Sequence, residues 1–267
     1  MTTVYDTFIF LNELDVLEWR LRELWDVVDV FVVVEATRTF RGTEKPLHLW
    51  QNRDRFKPWW SKVYHIVEHN MPRSPTDDPR RMYEVEGIQR NAIARGLEHA
   101  YRDDTVMVSD VDEIPDSRIV NQFRGTMNLY KLEQELYYYY LNLKFPHPPW
   151  FGTRLGAKHW FDQLGGMGMR IADAMPVHRA GWHFSFFGGP DTMAEKVRAW
   201  SHASAFVPET QGDPVLWMEA SRQAGLDWDV KRMAPMQWVD HTKVVYPRPI
   251  QEDGWDRWSH HLGPATT

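Results

Sequence analysis

Two aspartates, Asp110 and Asp112, stand two positions apart directly after a short hydrophobic stretch. That stretch, residues 105–109 (TVMVS), is typical of a buried β-strand, and open α/β sheets bind ligands beyond the carboxyl ends of their strands. Two carboxylates this close repel each other unless a cation lies between them. Because carboxylate oxygens suit Mg²⁺ and Mn²⁺, the motif predicts a divalent cation site. The structural alternative is an acidic helix N-terminus.

A histidine further along the chain could supply a third metal ligand. His183 lies in the segment GWHFSFFGG, residues 181–189, where the imidazole suits Mn²⁺ and the glycines let the backbone approach closely. The same residue could instead be a core histidine packed between its aromatic neighbours Trp182 and Phe184. The predicted ligands of Mn²⁺, or of Mg²⁺, are Asp110, Asp112 and His183.

A cation at this position would neutralise the charge that builds on a departing diphosphate, which is the chemistry of sugar transfer from a nucleotide sugar. Phosphatases of the haloacid-dehalogenase type also carry Asp-x-Asp after a strand, normally the first one, and need a later acidic pair with a lysine. Here the motif follows the fourth predicted strand, and no convincing later set is found. A magnesium-dependent phosphotransferase and a non-catalytic sugar-binding module are the two alternative functions.

The first half of the chain alternates between β-prone runs and amphipathic helical patterns. Apolar side chains that recur every three or four positions after Asn12 indicate a helix that this residue could cap. A second helical pattern begins at Asp78 and Pro79. This alternation favours an α/β fold with a mostly parallel, Rossmann-like sheet flanked by helices. The predicted strands cover residues 4–10, 29–35, 62–67 and 105–109.

The pattern changes in the second half, which is expected to be mixed. Residues 128–142 are predicted as a long β-segment, residues 145–168 as loop, and residues 191–206 and 214–224 as helices. No repeat or linker divides the chain.

The absence of a divider predicts one domain over residues 1–245. Its nucleotide-binding half would cover about residues 1–115 and its acceptor half about residues 116–245. The remaining residues, 246–267, are expected to form an irregular tail.

The composition of the 267-residue chain limits its chemistry. Cysteine is absent, which excludes disulfides, thiolate metal sites and a cysteine nucleophile. A formal net charge of -6 argues against a nucleic-acid partner. No apolar run approaches the roughly 20 residues that span a bilayer, and the N-terminus lacks a basic signal-peptide region. We therefore expect a cytoplasmic protein with no membrane partner. Its oligomeric state is left open.

Several longer motifs make the sequence resemble glycosyltransferase family 17, the β-1,4-mannosyl-glycoprotein 4-β-N-acetylglucosaminyltransferase-like proteins. The resemblance covers about residues 4–206. It depends on the segments YDTFIFLNELDVLEWRLRELWDVVDVFVVVEATRTFRG (5–42), KPL (45–47), QRNAI (89–93), DVDEIP (110–115), GWHFSFFGG (181–189) and KVRAWSH (196–202).

The resemblance implies a single-domain GT-A fold and an inverting transfer from a UDP-sugar, with UDP-GlcNAc as the expected donor. Asp110 and Asp112 would match the family's metal-binding Asp-x-Asp. Animal members are Golgi proteins with a membrane anchor and disulfides, which this sequence does not show. We therefore expect a bacterial or phage protein whose glycan or glycoprotein acceptor need not be the one used by animal members.

Polar residues near the strand ends are predicted to contact the UDP-sugar. Glu35 could accept a hydrogen bond from a uracil N–H or a ribose hydroxyl, or form a strand-end salt bridge. Arg41 and Lys45, in the loop that follows, could meet diphosphate oxygens or lie on a mobile surface. Arg90 and Asn91 match an Arg-Asn pair that related GT-A enzymes carry beside the nucleotide. The structural alternative is that both residues lie on a solvated helix face. Asp110 could bind ribose as well as metal.

Inversion requires a general base that removes the proton of the acceptor hydroxyl on the face opposite the leaving group. Its carboxylate must lie beyond the sugar and away from the metal. We predict Asp173, just before the GWHFS segment, with Glu135 as the second choice. A solvated or paired polar face is the structural alternative for Glu135. The other acids considered are Glu133, Asp162 and Asp191.

Overall fold

The computed structural model describes residues 2–73, 78–146, 149–199, 213–227 and 235–264, which form two β-sheets and the helices around them. The strands are β1 (Val4–Phe10), β2 (Val30–Ala36), β3 (Val63–Glu68), β4 (Thr105–Asp110), β5 (Glu113–Pro115), β6 (Tyr130–Leu132), β7 (Glu135–Tyr138), β8 (Leu143–Lys144), β9 (Arg154–Ala157), β10 (Met175–Val177), β11 (Gly181–Ser185) and β12 (Gln237–Trp238). The α-helices are α1 (Leu14–Leu24), α2 (His48–Gln51), α3 (Pro79–Asn91), α4 (Ser117–Gln122), α5 (Lys158–Ile171), α6 (Gly189–Ala199), α7 (Pro214–Ala224), α8 (Arg248–Asp253) and α9 (Trp255–Trp258). Short 3₁₀ segments lie at Lys57–Lys62, Ala92–Leu97, His241–Lys243 and Ser259–His261.

The larger sheet has seven strands in the order β10-β6-β9-β4-β1-β2-β3, and β4, β1, β2 and β3 pair in parallel. The α/β class and the four predicted strands are confirmed. Both faces of this sheet are covered, since Val33 belongs to one hydrophobic core while Val32 and Val34 belong to another. That two-sided burial explains the continuous β-branched run in the second strand. Among the described residues, no helix combines the length and the apolar character that a bilayer crossing needs.

The smaller sheet has five strands in the order β12-β8-β7-β11-β5. The prediction of one long β-segment over residues 128–142 is wrong, because β6 joins the larger sheet and β7 the smaller one. The chain crosses between the sheets at Glu133 and Gln134, whose amides bond to Val177 O and Trp150 O at 2.8 Å each.

The predicted loop over residues 145–168 is also wrong, because it contains β9 and most of α5. Its glycines misled the prediction. Gly156 lies within β9, where a Cβ would approach Asn128 O to 2.9 Å, and Gly165 bends α5 at a φ of +69°. These glycines serve close packing and a helix kink in ordered elements.

The helix predicted after Asn12 is confirmed as α1, but Asn12 does not cap it. Glu13 holds the cap position without a side-chain cap bond. The Asn12 side chain instead donates to Glu195 Oε2 of α6 at 2.7 Å. A tertiary hydrogen bond has replaced the local cap that the residue type favours.

The C-terminal segment is not irregular, contrary to the prediction. Helices α8 and α9 pack on α1, where the ring of Trp258 is 2% exposed and meets Trp19 edge-to-face at 5.2 Å. Asp15 accepts hydrogen bonds from His260 and His261 at 3.1 and 2.9 Å. Among the described residues, Asp15, His260 and His261 are the one group of three or more histidine and acidic residues whose potential metal-ligating atoms all lie within 4.8 Å of one another. Aromatic burial and these bonds hold the segment against the domain.

Arg20 of α1 lies completely buried beneath the turn that follows β4. Its guanidinium pairs with Asp6, which is equally buried, through bonds of 2.8 and 2.6 Å. Nη1 donates to the carbonyl oxygens of Asp110, Val111 and Glu113 at 2.9, 3.2 and 2.7 Å. One side chain therefore binds three backbone carbonyls of the turn that carries the Asp-x-Asp motif.

We expect Arg20→Met to lower the free energy of unfolding by about 3–5 kcal/mol, because it leaves the Asp6 carboxylate buried without a partner. Urea denaturation of the purified variant measures this loss. The matched control is Lys57→Met, since Lys57 and its partner Asp54 are 74% and 75% exposed and about 0–1 kcal/mol is expected for such a surface pair. Equal losses in the two variants would contradict the structural role of Arg20.

Candidate active site

A cavity of about 460 Å³ opens at the carboxyl ends of β1 and β4. Its lining joins both halves of the chain, because β7, β11 and α6 contribute Tyr138, His183 and Lys196. Asp110 and Asp112 are part of this lining. The position agrees with the predicted ligand site beyond the strand ends of an open α/β sheet.

His183 reaches Asp112 because β5 and β11 pair directly after the turn. The antiparallel register sets His183 opposite Glu113, and the Phe184 amide donates to Asp112 O at 2.8 Å. As a result, His183 Nε2 lies 3.5 Å from Asp112 Oδ1. The structure thus brings two of the three predicted metal ligands together.

Asp110 is held by two arginines. Arg90 Nη2 lies 2.6 Å from Oδ1, and Arg170 Nη2 lies 3.2 Å from Oδ2. Burial raises the pKa of Asp110, but the two guanidinium charges outweigh burial and keep the pKa well below its usual range. Asp110 is therefore ionised, and both of its oxygens already have cationic partners.

Asp112 has a different pair of partners, Lys196 and His183. Lys196 Nζ lies 2.7 Å from Asp112 Oδ2 and 2.8 Å from Glu13 Oε1. Burial raises the pKa of Asp112, but Lys196 and His183 together hold it well below its usual range. The carboxylate is charged and close to an imidazole, and an ammonium shields it.

A third acid, Glu113, supports the motif from behind. It is fully buried, and its carboxylate accepts hydrogen bonds from Arg170 Nη2 and Trp150 Nε1 at 2.6 Å each and from the Asp110 amide at 3.0 Å. Arg170 thus bridges Asp110 and Glu113. Sequence reasoning missed Arg170, because the segment before it was predicted as loop.

The residues predicted to contact the nucleotide do not all line the cavity. Lys45 does, with Nζ 3.6 Å from Glu35 Oε1, and burial lowers its pKa. Glu35 is fully buried behind it and accepts bonds from the Leu49 amide and from His65 Nε2 at 3.0 Å each. Arg41 is half-buried outside the lining.

Arg90 and Asn91 are turned toward protein groups. Arg90 is 1% exposed, and besides Asp110 it binds Glu86 Oε1 at 2.7 Å and Ser109 O at 3.0 Å. Asn91 Oδ1 accepts from the Met167 amide of α5 at 3.3 Å. In this structure Arg90 orients Asp110, and Asn91 supports α5.

Neither predicted general base lines the cavity. The Asp173 carboxylate is 94% exposed and pairs with Lys131 at 2.8 Å, and this lysine lowers its pKa. Glu135 accepts a bond from Tyr137 Oη at 2.8 Å and pairs with Lys144 at 2.9 Å. Both carboxylates have partners elsewhere on the protein, so the geometry does not favour either as the base.

The remaining wall of the cavity combines apolar and basic side chains. Aromatic rings line the cavity beside His183, where the ring centroids of Trp150 and His183 are 4.9 Å apart. Flat apolar surfaces of this kind bind nucleobases and sugar rings by stacking. The apolar and basic members of the lining include Ile9, Phe10, Leu11, Phe40, Phe186, Arg38 and Lys45.

The groups around Asp112 fit a divalent cation. The ammonium of Lys196 occupies a position between Asp112 and Glu13, so a positive charge is accepted there. His183 Nδ1 is buried without a hydrogen-bond partner among the described residues. Carboxylate oxygens and imidazole nitrogen form a donor set that Mn²⁺ accepts. Asp112 and His183 would hold the ion. Asp110, which is bound by Arg90 and Arg170, would contribute only its negative charge.

Comparisons with known proteins found similar sequences and similar solved structures. The chain is 22% identical to the rat and human proteins named beta-1,4-mannosyl-glycoprotein 4-beta-N-acetylglucosaminyltransferase, over 88% of this chain and 48% of each relative. It therefore spans about half the length of the curated relatives it matches. Glucosyl-3-phosphoglycerate synthase of Mycobacterium tuberculosis, solved with Mn²⁺, UDP and phosphoglyceric acid, overlaps 74% of this chain and 78% of that chain, at 14% identity and a TM-score of 0.34. At this low identity and TM-score, the ligands of the synthase are not transferred to the present chain.

The family comparison is broader, because the model of glycosyltransferase family 17 matches residues 1–213. This match includes β1 to β4, the Asp-x-Asp turn, β11 with His183 and α6 with Lys196. The resemblance predicted from the sequence motifs is confirmed. The chain belongs to glycosyltransferase family 17.

Proposed function

We propose that this protein is a metal-dependent, inverting glycosyltransferase of GT-A type that transfers a sugar from a UDP-sugar to a glycan or glycoprotein. One observation carries the proposal. Asp110 ends the parallel strand β4, Asp112 lies in the turn that follows, both line a 460 Å³ cavity, and His183 lies 3.5 Å from Asp112. The curated relatives' name supports GlcNAc as the sugar and a mannosyl glycan as the acceptor class. A cytoplasmic location remains a prediction from the sequence.

The charges of the cavity suit a diphosphate leaving group. Mn²⁺ or Mg²⁺ held by Asp112 and His183 would supply Lewis-acid charge neutralisation there. Lys45 and Arg38 add two further positive groups to the lining, on the side of the β2 strand end. These side chains would bind and orient the diphosphate, since preorganised cations stabilise developing negative charge better than water does.

The apolar part of the lining would hold the uridine. Phe10 and Leu11 continue β1 toward the cavity, and Phe40 faces it from the loop after β2. Stacking on such groups excludes water from the sugar–phosphate bond and thereby strengthens each charged contact nearby. Trp150 and Tyr138, on the opposite side, provide ring surfaces for the transferred or the accepting sugar.

We expect UDP with Mn²⁺ to raise the melting temperature of the wild-type protein by roughly 5 °C at about 100 times its Kd, and to have little effect in EDTA. Asp112→Asn should abolish the Mn²⁺-dependent part, because the variant removes a metal ligand. Thermal-shift assays with UDP, UDP-GlcNAc, UDP-glucose, UDP-galactose and GDP-mannose measure both effects.

The matched control is Asp162→Asn, an exposed acid of α5 that pairs with Lys158 and should leave the shift unchanged. A preference for GDP-mannose, or a shift that ignores EDTA, would contradict the proposal. Release of inorganic phosphate from simple phosphoesters would indicate a phosphotransferase. Glycan binding without UDP-sugar that survives Asp112→Asn would indicate a sugar-binding module.

Asp173→Asn is expected to leave kcat of sugar transfer within about twofold of wild type, because the carboxylate lies outside the cavity lining and binds Lys131. Glu135→Gln serves as the second variant, with the same expectation. Steady-state kinetics with a labelled UDP-sugar measure both. A loss of about 100-fold in kcat with unchanged UDP binding would instead establish the mutated residue as the general base.

A further inference from the structure

Lys196 ties two carboxylates of the cavity together. Its ammonium lies 2.7 Å from Asp112 and 2.8 Å from Glu13. Glu13 is fixed in turn, because its Oε2 accepts from the amides of Leu11 and Asn12 at 3.3 and 3.0 Å. The three side chains form a cluster with a net charge of -1, in which one ammonium serves both acids. Without that ammonium, two largely buried carboxylates would share no cation.

The same cluster contains the residue that would hold the divalent cation. An ion bound to Asp112 and His183 would lie within a few ångströms of the Lys196 ammonium. Like charges repel strongly at that separation, above all where burial limits the screening by water. Lys196 and a divalent cation therefore compete for Asp112.

Helix α6 carries both Lys196 and Glu195, and Glu195 also binds residues on the opposite side of the cavity. Glu195 accepts a hydrogen bond from Asn12 at 2.7 Å and contacts His48 Nε2 at 2.8 Å. Gly188 precedes the helix and Gly189 begins it, with φ values of +110° and +82° that glycine adopts without strain. The contacts of Glu195 and Lys196 thus join this helix to two neighbouring positions of the loop after β1, Asn12 and Glu13.

We propose that Lys196 exchanges partners during the catalytic cycle: its ammonium holds Asp112 and Glu13 in the metal-free protein, and moves to the diphosphate oxygens of the donor when metal and UDP-sugar bind. This inference rests on the proposed function and assigns a diphosphate-positioning role to Lys196. Glu13 then keeps the vacated position negative.

The first test measures Mn²⁺ binding alone, by titration calorimetry and by the EPR signal of free Mn²⁺. Lys196→Met should bind Mn²⁺ at least about tenfold more tightly than wild type, because the competing charge is gone. The matched control is Lys131→Met, the same substitution at a lysine outside the cavity lining, which pairs with Asp173 and should change affinity by no more than about threefold. Equal or weaker binding in Lys196→Met than in Lys131→Met would overturn the exchange.

The second test measures nucleotide affinity at saturating Mn²⁺. Lys196→Met should lower the affinity for UDP by about tenfold and leave the affinity for uridine unchanged, because uridine has no diphosphate. Equal UDP affinity in Lys196→Met and wild type would overturn the transfer to the donor. If Lys196→Met does not fold, as judged by circular dichroism, Lys196→Gln takes its place in both tests.

All measurements use the Asp15→Asn background, which removes a ligand from the Asp15, His260 and His261 group and so prevents Mn²⁺ from binding there. Binding that is lost in Asp112→Asn identifies the intended site. If neither wild type nor Lys196→Met binds Mn²⁺ in this background, even with UDP present, the proposed function fails. If Asp112-dependent binding is present but unchanged by Lys196→Met, only the exchange fails.

Discussion

The turn after β4 keeps its shape because one buried guanidinium binds its backbone. Arg20 donates to three carbonyl oxygens of the turn while its charge is balanced by Asp6 on β1. Residues two apart share a face only on an extended strand, and β4 ends at Asp110, so the turn decides where Asp112 lies relative to Asp110. A turn with its carbonyls directed inward needs donors there, and α1 supplies them. The placement of Asp110 and Asp112 in one lining follows from this contact.

The charges above that turn are arranged in pairs of opposite sign. Arg90 and Arg170 balance Asp110, and Lys196 balances Asp112. Such pairing removes the repulsion that would otherwise make an Asp-x-Asp motif unstable without a cation. Under the proposed function, metal binding would therefore be an exchange of cations. Asp110 is held by two arginines, whereas Asp112 shares Lys196 with Glu13, so Asp112 would be the easier of the two to free for a metal ion.

The first four strands, the α/β class and the position of the Asp-x-Asp motif could be predicted, because each depends on local periodicity or on a motif within a few residues. Arg170 and Lys196 could not be assigned roles in that way, since their acidic partners lie at least 57 positions away along the chain, as Glu113 does from Arg170. Local reasoning also misplaced Asn12, whose side chain bonds to α6, and the glycines of residues 145–168. One signal was present, because the family motif KVRAWSH begins at Lys196.

The C-terminal segment bears on the site through the aromatic residues it covers. Trp19, which precedes Arg20 on α1, packs edge-to-face against Phe184, Phe187 and Trp258 at centroid distances of 5.4, 6.0 and 5.2 Å. Phe184 follows His183 on β11, so the cluster that buries Trp258 also fixes the strand that carries the imidazole. Neighbouring positions of one helix therefore hold the Asp-x-Asp turn by hydrogen bonds and the histidine strand by ring packing. The separation of His183 from Asp112 depends on both.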